Sequence, residues 1–302
     1  MAYPLVENAI GSFCILNGKK VNFDSTEGKN LFLPTNDITY YESIRLTSGV
    51  FVFWEAHMLR LHLSIEAKEN FPINTEEIYE QAIMLFKETE PAIMDGNIRI
   101  VITHNLTLLY FSQMSYPPKA FFEEGIHTAL LSWERVDPQV KVFRGDYKKA
   151  VADKMQMDTP FGFPYELLLV NGNDEITEGS RSNFFVLYDN VVYSPPEDKI
   201  LIGITRHFVL MAMNAVGISL CEKAYTLSEI LAMRDEHNHA PPKLALFVTS
   251  SPFDILPISS VDNEKFDSVH CPALLRLMDA YRAVVEQYID SRSPDMTSEM
   301  TE

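Results

Sequence analysis

Cysteine is scarce and unpatterned. Cys14, Cys221 and Cys271 are odd in number and far apart, and no CxxC occurs, so a disulfide scaffold and a cysteine-based zinc site are both unsupported. Basic residues are few: 25 Lys and Arg stand against 42 Asp and Glu, a formal net charge of -17. Nucleic-acid and anionic-lipid binding draw most of their affinity from Lys and Arg. No basic run opposes this field, and neither a nucleic acid nor a membrane is expected as a partner. No apolar run approaches the roughly 20 residues that span a bilayer. The start, MAYPLVENAIGS, lacks a basic segment followed by an apolar one, so no signal peptide is expected. The P-loop, GxGxxG, HExxH and GxSxG motifs are absent as well. These absences lead to the expectation of a protein of a reducing cytoplasm.

What is present is a globular balance. Of 302 residues, 46% are hydrophobic and 22% charged, enough for one large domain or two ordinary ones. Ile38 to Arg45 and Val50 to Trp54 are rich in β-branched and aromatic types around a Ser48-Gly49 turn, which predicts a hairpin. Met58, Leu61 and Ile65 follow at helical spacing, and Asn74 with Glu77 opens a second helix carrying Ile78, Ala82 and Leu85. Asn97 to Thr103 and Leu106 to Phe111 read as two strands. This half is an α+β domain with an antiparallel meander. The charged stretch Ser132 to Gln139 suits a connection between domains. Beyond it, helices are expected over Asp146 to Met157, Ile204 to Val216 (closed by Gly217), Thr226 to Met233 and Cys271 to Asp290. Strands are expected over Glu166 to Val170, Asn183 to Leu187, Val191 to Tyr193 and Leu244 to Thr249.

Four segments carry chemistry. Arg60, in His57-Met58-Leu59-Arg60-Leu61 at a helix start, is either a bidentate, permanently charged phosphate donor or a solvated helix arginine. Glu178, in Glu178-Gly179-Ser180-Arg181-Ser182-Asn183 before the strand Phe184-Phe185-Val186, is either a turn glutamate or a carboxylate aimed into a cleft. In the second case it can keep a pyridinium nitrogen protonated, so that the ring serves as an electron sink. Gly203-Ile204-Thr205-Arg206 offers backbone N–H groups and the positive end of a helix dipole to a phosphate, or is capped by Thr205. Thr249-Ser250-Ser251 completes such a seat, or is a polar turn before Pro252.

Together and in this order, these segments resemble the class IV aminotransferases, the fold-type-IV pyridoxal-phosphate enzymes. That family includes branched-chain aminotransferases, D-amino acid aminotransferase and aminodeoxychorismate lyase. The resemblance runs from Ile38 to Asp262 through YYESIR, HMLRL, SWERVDPQVK, ITEGSRSNFFV, LIGITR and TSSPFDILPI. It implies an α+β, D-amino acid aminotransferase-like fold: a small N-terminal α+β domain, here 1–135, and a larger C-terminal pseudo-barrel domain, here 136–292. The polar tail 293–302 is expected to be disordered. The family's active site lies between its domains, on a homodimer. The implied cofactor is pyridoxal 5'-phosphate, held by Arg60, Ile204, Thr205, Ser250 and Ser251 at the phosphate, by Glu178 at the ring nitrogen and by Tyr147 at the ring oxygen. Tyr41 and Arg45 face the substrate side in relatives.

The family also needs a lysine that carries the cofactor covalently. Its amine must be uncharged to attack, which burial beside a cationic ring favours. Lys141 fits this context, although its distance to Tyr147 and Glu178 is slightly longer than the family's spacing. Counting back from the helix lands on Val142 or Phe143, and a small bulge would reconcile the two counts. Lys148 and Lys149 are alternatives within the helical pattern. Arg99 either meets a substrate carboxylate or points to solvent. PTNDIT and His104-Asn105 depart from the family's usual turns. Asp235, Glu236, His237 and His239 read as a polar surface loop rather than a metal site. The implied activity is transfer of an amino group between a small amino acid, branched-chain types included, and a 2-oxo acid. The alternatives are a lyase of the aminodeoxychorismate type and a non-catalytic relative.

Overall fold

The computed structural model describes residues 3–113, 116–236 and 241–292. The chain forms two compact units. The first comprises Met1–Ser115, Val140–Asp146 and Val285–Glu302; the second comprises Tyr116–Gln139 and Tyr147–Val284. The expected cut after residue 135 falls within the first segment of the second unit. The strand Ile126–Ser132 pairs inside the second unit, while Val140 and Val142 pack in the core of the first. Residues 293–302, His237 and His239 lie outside the described residues. Among the described residues no group of three His, Cys, Asp or Glu comes together as a metal site. No helix there is long and apolar enough to cross a membrane.

The first unit has strands β1 (Phe13–Leu16), β2 (Lys19–Asn22), β3 (Tyr40–Thr47), β4 (Val50–Phe51), β5 (Gly96–Thr103) and β6 (Leu106–Ser112). Among the described residues they form an antiparallel sheet in the order β2-β1-β6-β5-β3-β4. The predicted hairpin is there, and Ser48 and Gly49 both take positive φ, as a two-residue turn of matching twist requires. Its second strand is shorter than expected. It ends at Phe51, Phe53 adopts the left-handed conformation, and helix α1 (Trp54–Glu66) begins where Trp54 was read as strand. Helix α2 (Thr75–Lys87) starts at the predicted Asn74, whose side chain accepts from the Glu76 and Glu77 amides. Met58, Leu61 and Ile65 of α1 and Ile78, Ala82 and Leu85 of α2 pack on one face of the sheet with Tyr40, Ile44 and Leu46.

The second unit has helix α3 (Lys119–Glu124), strand β7 (Ile126–Ser132), helix α4 (Gly145–Met155), strands β8 (Glu166–Val170), β9 (Glu175–Gly179), β10 (Asn183–Tyr188) and β11 (Val191–Ser194), and helix α5 (Ile204–Ala215). There follow β12 (Ser219–Glu222), β13 (Tyr225–Thr226), α6 (Leu227–Glu236), β14 (Leu244–Ser250), β15 (Asp254–Val261), β16 (Glu264–Lys265) and α7 (Pro272–Asp290). Residues 145–146 of α4 and 285–290 of α7 belong to the first unit. Among the described residues the sheet order is β12-β11-β10-β14-β15-β7-β8-β9-β13, with β16 beside β15. Strands β9 and β10 stand five places apart in that order, yet only Ser180 to Ser182 join them, and the Gly179 amide donates to the Ser182 carbonyl. A sheet whose third and eighth strands are tied by three residues must curl back on itself, so this sheet is a curled half-barrel. Thr226 and Glu229 form the predicted capping box, each backbone amide donating to the other's side chain. Strands β7, β9 and β15 had no counterpart in the sequence reading.

Two glycines of the motifs are sterically enforced. A Cβ on Gly179 would collide with Ser182 Oγ, and one on Gly203 with Asn183 Oδ1. Neither neighbour is free to yield: Ser182 Oγ donates to Glu166, and Asn183 Nδ2 donates to the Leu201 carbonyl. Gly203→Ala is expected to cost about 1–3 kcal/mol of unfolding free energy. Adding Asn183→Ala should remove most of the part due to the clash. Denaturant titration of the single and double variants checks this, and a Gly203→Ala protein as stable as the parent would contradict it.

Candidate active site

In the first unit, strand period decides the chemistry. Side chains of β3 alternate between faces. Tyr40, Ile44 and Leu46 point to the helices, while Tyr41 packs with Val101 and Leu108 on the opposite side. Glu42 therefore lands on the apolar, helix-facing side, with no exposure to solvent. There it meets His57 and Arg60, three residues apart and so on one face of α1. Arg60 Nε and Nη2 donate to Glu42 Oε1 and Oε2 at 2.8 and 2.5 Å, and His57 Nδ1 lies 2.7 Å from Oε2. Arg60 is thus a buried arginine, 9% exposed, and not a solvated one.

Lys141 reaches the same carboxylate. Residues 140–143 run antiparallel beside the start of β3, with Tyr40 opposite Val142, the Tyr41 amide donating to the Lys141 carbonyl and the Phe143 amide to Thr39. The Lys141 amide donates to Ser64 Oγ of α1. Its Nζ stands 4.0 Å from Glu42 Oε2 and 5.1 Å above the Tyr41 ring. Lys149 is exposed and pairs with Asp153 one turn on. Lys148 is exposed too, though desolvation holds its ammonium down to about 8.

Burial alone would raise the Glu42 carboxyl, but Arg60 first, then Lys141 and His57, outweigh it and hold it well below the ordinary range. For His57 burial wins over the attraction of Glu42, and its imidazole is lowered to about 4. It is therefore neutral at pH 7 and donates from Nδ1 to the carboxylate.

The other face of the sheet carries the expected substrate side. Tyr41 and Arg45 of β3 lie opposite Val101 and Asn97 of β5, and Arg99 lies opposite Ser43, so the three expected residues share that face. The Tyr41 and Phe143 rings stack at 4.0 Å and 8°, and Phe143 stacks in turn on Tyr3. The Arg99 guanidinium is 5.1 Å from the Tyr41 ring centroid. It is half-buried over aromatics rather than directed to solvent.

The second unit holds the remaining expected residues. Glu178, 2% exposed, accepts from Arg135 Nη1 and from the Leu201 amide, both at 3.2 Å. Burial raises its carboxyl above the ordinary value despite Arg135 and that amide, and nearby Glu166 adds to the rise. Glu166 in turn locks the turn: Ser180 donates to it from its amide and hydroxyl, and Ser182 from its hydroxyl. The Tyr147 hydroxyl donates to the Ser180 carbonyl at 2.5 Å, which leaves its lone pairs and not its proton for other contacts. Arg135 lies over the Tyr147 ring.

Asn183 ties the turn to the two phosphate-type segments. It faces Thr249 across the β10–β14 ladder and presses against Gly203 at the start of α5. Among the described residues no side chain caps α5, so its first amides suit an anion. Ile204 and Thr205 are buried there. The Thr249 hydroxyl is buried without a hydrogen-bond partner, while Ser250 Oγ donates to the Arg181 carbonyl and Ser251 follows, half-buried, in the turn. An uncapped helix start, an orphaned buried hydroxyl and a buried carboxylate fit a phosphate ester and a protonated ring nitrogen.

Four residues have no role in the sequence reading: Glu42, His57, Arg135 and Glu166. Two of them carry a legible signal. Glu42 is a charge on the apolar face of an alternating strand, and Glu166 heads the otherwise apolar run ELLLV.

The model of the amino-transferase class IV family matches residues 39–261. The chain belongs to the class IV aminotransferases. Among its relatives are the putative branched-chain-amino-acid aminotransferase of Methanocaldococcus jannaschii, 25% identical over 74% of this chain and 78% of that one, and the D-alanine aminotransferase of Bacillus licheniformis, 26% identical over 76% and 80%. The branched-chain aminotransferase of Thermoproteus uzoniensis, solved with norvaline, superimposes with a TM-score of 0.73 at 22% identity, covering 92% of this chain and 97% of that one.

The buried imidazole gives this aminotransferase a pH signature. Because His57 is lowered from 6.5 to about 4, the unfolded chain binds its proton before the folded one does. The contribution of His57 is present above pH 6.5 and is lost as the pH falls from there through 4. His57→Asn keeps a donor near Nδ1 but does not titrate. Between pH 7 and 4 the parent should lose on the order of 2 kcal/mol more than this variant. Denaturant midpoints across that range measure it, and parallel profiles would contradict a neutral buried imidazole.

Proposed function

We propose that the protein is a pyridoxal-phosphate-dependent transaminase moving an amino group between a small amino acid, of the branched-chain type, and a 2-oxo acid. Class IV aminotransferases use this cofactor, and the branched-chain and D-alanine names of its relatives support a small aliphatic side chain. The observation that carries the reading is the convergence of Lys141 and Arg60 on one buried carboxylate.

When bound, the cofactor supplies an electron-withdrawing ring that takes up the electron pair left at the substrate Cα. Lys141 would hold the cofactor's aldehyde carbon and would carry the proton taken from and returned to the substrate Cα. Arg60 in the first unit, and the Ile204 and Thr205 amides, the Thr205 hydroxyl, Ser250 and Ser251 in the second, would be the phosphate ligands. Glu178 would pair with the ring nitrogen and keep the proton there. Tyr147 faces the ring oxygen, Tyr41 and Arg45 line the substrate side, and Arg99 receives the substrate carboxylate. The same reading makes the protein a cytoplasmic homodimer; Cys14, Cys221 and Cys271 form no disulfide.

The protein as isolated should be yellow, and borohydride should bleach the colour. Mass spectrometry of the reduced protein should find the adduct on Lys141, and Lys141→Ala should lose it while keeping the fold. An adduct on Lys148, or one surviving in Lys141→Ala, would reject the lysine assignment. Glu178→Gln should keep the cofactor and lose about a hundredfold in kcat. A colourless protein that takes up no cofactor rejects the whole proposal, and colour without amino transfer to pyruvate or 2-oxoglutarate favours the lyase.

A further inference from the structure

Glu42 touches three groups that the proposed reading uses or flanks, and it has no role in that reading itself. It is fully buried and grips Arg60 through both Nε and Nη2. Two parallel N–H···O bonds fix a guanidinium in direction as well as position. The same carboxylate stands 4.0 Å from Lys141 Nζ, and His57 braces it from α1 through a further hydrogen bond. With His57 neutral, the four side chains together carry one net positive charge, the sign that draws an anion. A buried ion pair of this kind adds little net stability over an apolar replacement of the same shape. Stability alone is therefore a poor reason for a charge at this position of an apolar strand face.

We infer that Glu42 is a positioning residue for cofactor capture, holding Arg60 and Lys141 as a pre-assembled pair on one carboxylate. This rests on the proposed function. It adds that the Arg60 guanidinium is oriented before any anion arrives, which spares the ordering cost on binding. It also adds that a negative charge beside the Lys141 nitrogen keeps that nitrogen protonated to a higher pH.

The test titrates cofactor-depleted parent, Glu42→Gln and Glu42→Asp with pyridoxal phosphate, then titrates the visible band of each loaded protein with pH. Glu42→Gln should bind about tenfold or more weakly, the worth of one lost charge-assisted contact. The pH midpoint of its visible band should fall by about one unit or more. Glu42→Asp keeps the charge but, one methylene shorter, draws the carboxylate back from the guanidinium, so its Kd should rise while its midpoint stays near the parent's. If Glu42→Gln does not fold, Glu42→Asp decides. Parental affinity in either folded variant overturns the inference, as does weakened binding by Glu42→Gln with an unmoved midpoint, which is what a purely structural glutamate would give. A parent that takes up no cofactor overturns this inference and the proposed function together. A normal parent with indifferent variants overturns this inference alone.

Discussion

One carboxylate organises the first unit. Glu42 is placed by nothing more than the two-residue period of β3, which turns it toward the helices with Tyr40, Ile44 and Leu46. A lone carboxylate there would be very costly. Arg60, His57 and Lys141 are what make it tolerable, and they come from two constraints: the helical spacing of α1 for the first two, and a short strip docked beside β3 for the third. The apolar side chains around them set where the backbone runs. The charge sets which way the polar ends point.

The two buried glutamates contrast in a useful way. Glu42 has two permanent or near-permanent cations and is held below the ordinary range. Glu178 has one arginine, a backbone amide and a second glutamate nearby, and its carboxyl is raised. Burial is nearly the same for both, so the number of neighbouring charges decides the direction. The turn beside Glu178 is held by the curl of the sheet, by Glu166 accepting from both serines, and by glycines whose absent Cβ atoms leave room for Ser182 and Asn183. The motif letters around Glu178 are the parts of one mechanical solution.

Much of this was legible in the sequence, and the gaps have physical causes. Long periodic segments announced themselves: α2 with its Asn74 cap, α5 ending before Gly217, and the β10–β11 hairpin, whose Asp189 and Asn190 both take positive φ. Strand β9 escaped because Glu175 and Glu178 break its apolar pattern. Strand β15 escaped because Pro257 interrupts it; that proline is tolerated in the ladder with β14. Charge and proline in Ser132 to Gln139 mark a crossing of the chain, but not how often it crosses, and each unit is built from more than one stretch. Of the site, Glu178 and Arg60 could be named from motif and residue type. The Arg60–Glu42 and Glu178–Arg135 partnerships could not, since each depends on pairing between distant segments. Lys141 itself sits in a short strip tied to β3 by an isolated bridge between Val142 and Tyr40, outside any periodic ladder.

The first unit is assembled from three separate stretches of chain. A polypeptide ending at residue 135 would keep all six strands of its sheet and both of its long helices, yet it would lack Val140 and Val142 from the core and Lys141 from the carboxylate. It would also lack Tyr288, whose hydroxyl accepts from the Trp54 amide at the entrance to α1. Ribosomal synthesis delivers Val140, Lys141 and Val142 after all six strands, and Tyr288 long after those. The emerging chain therefore carries a nearly complete sheet whose seam beside α1 stays unfinished until the helix that bears Tyr288 has been made.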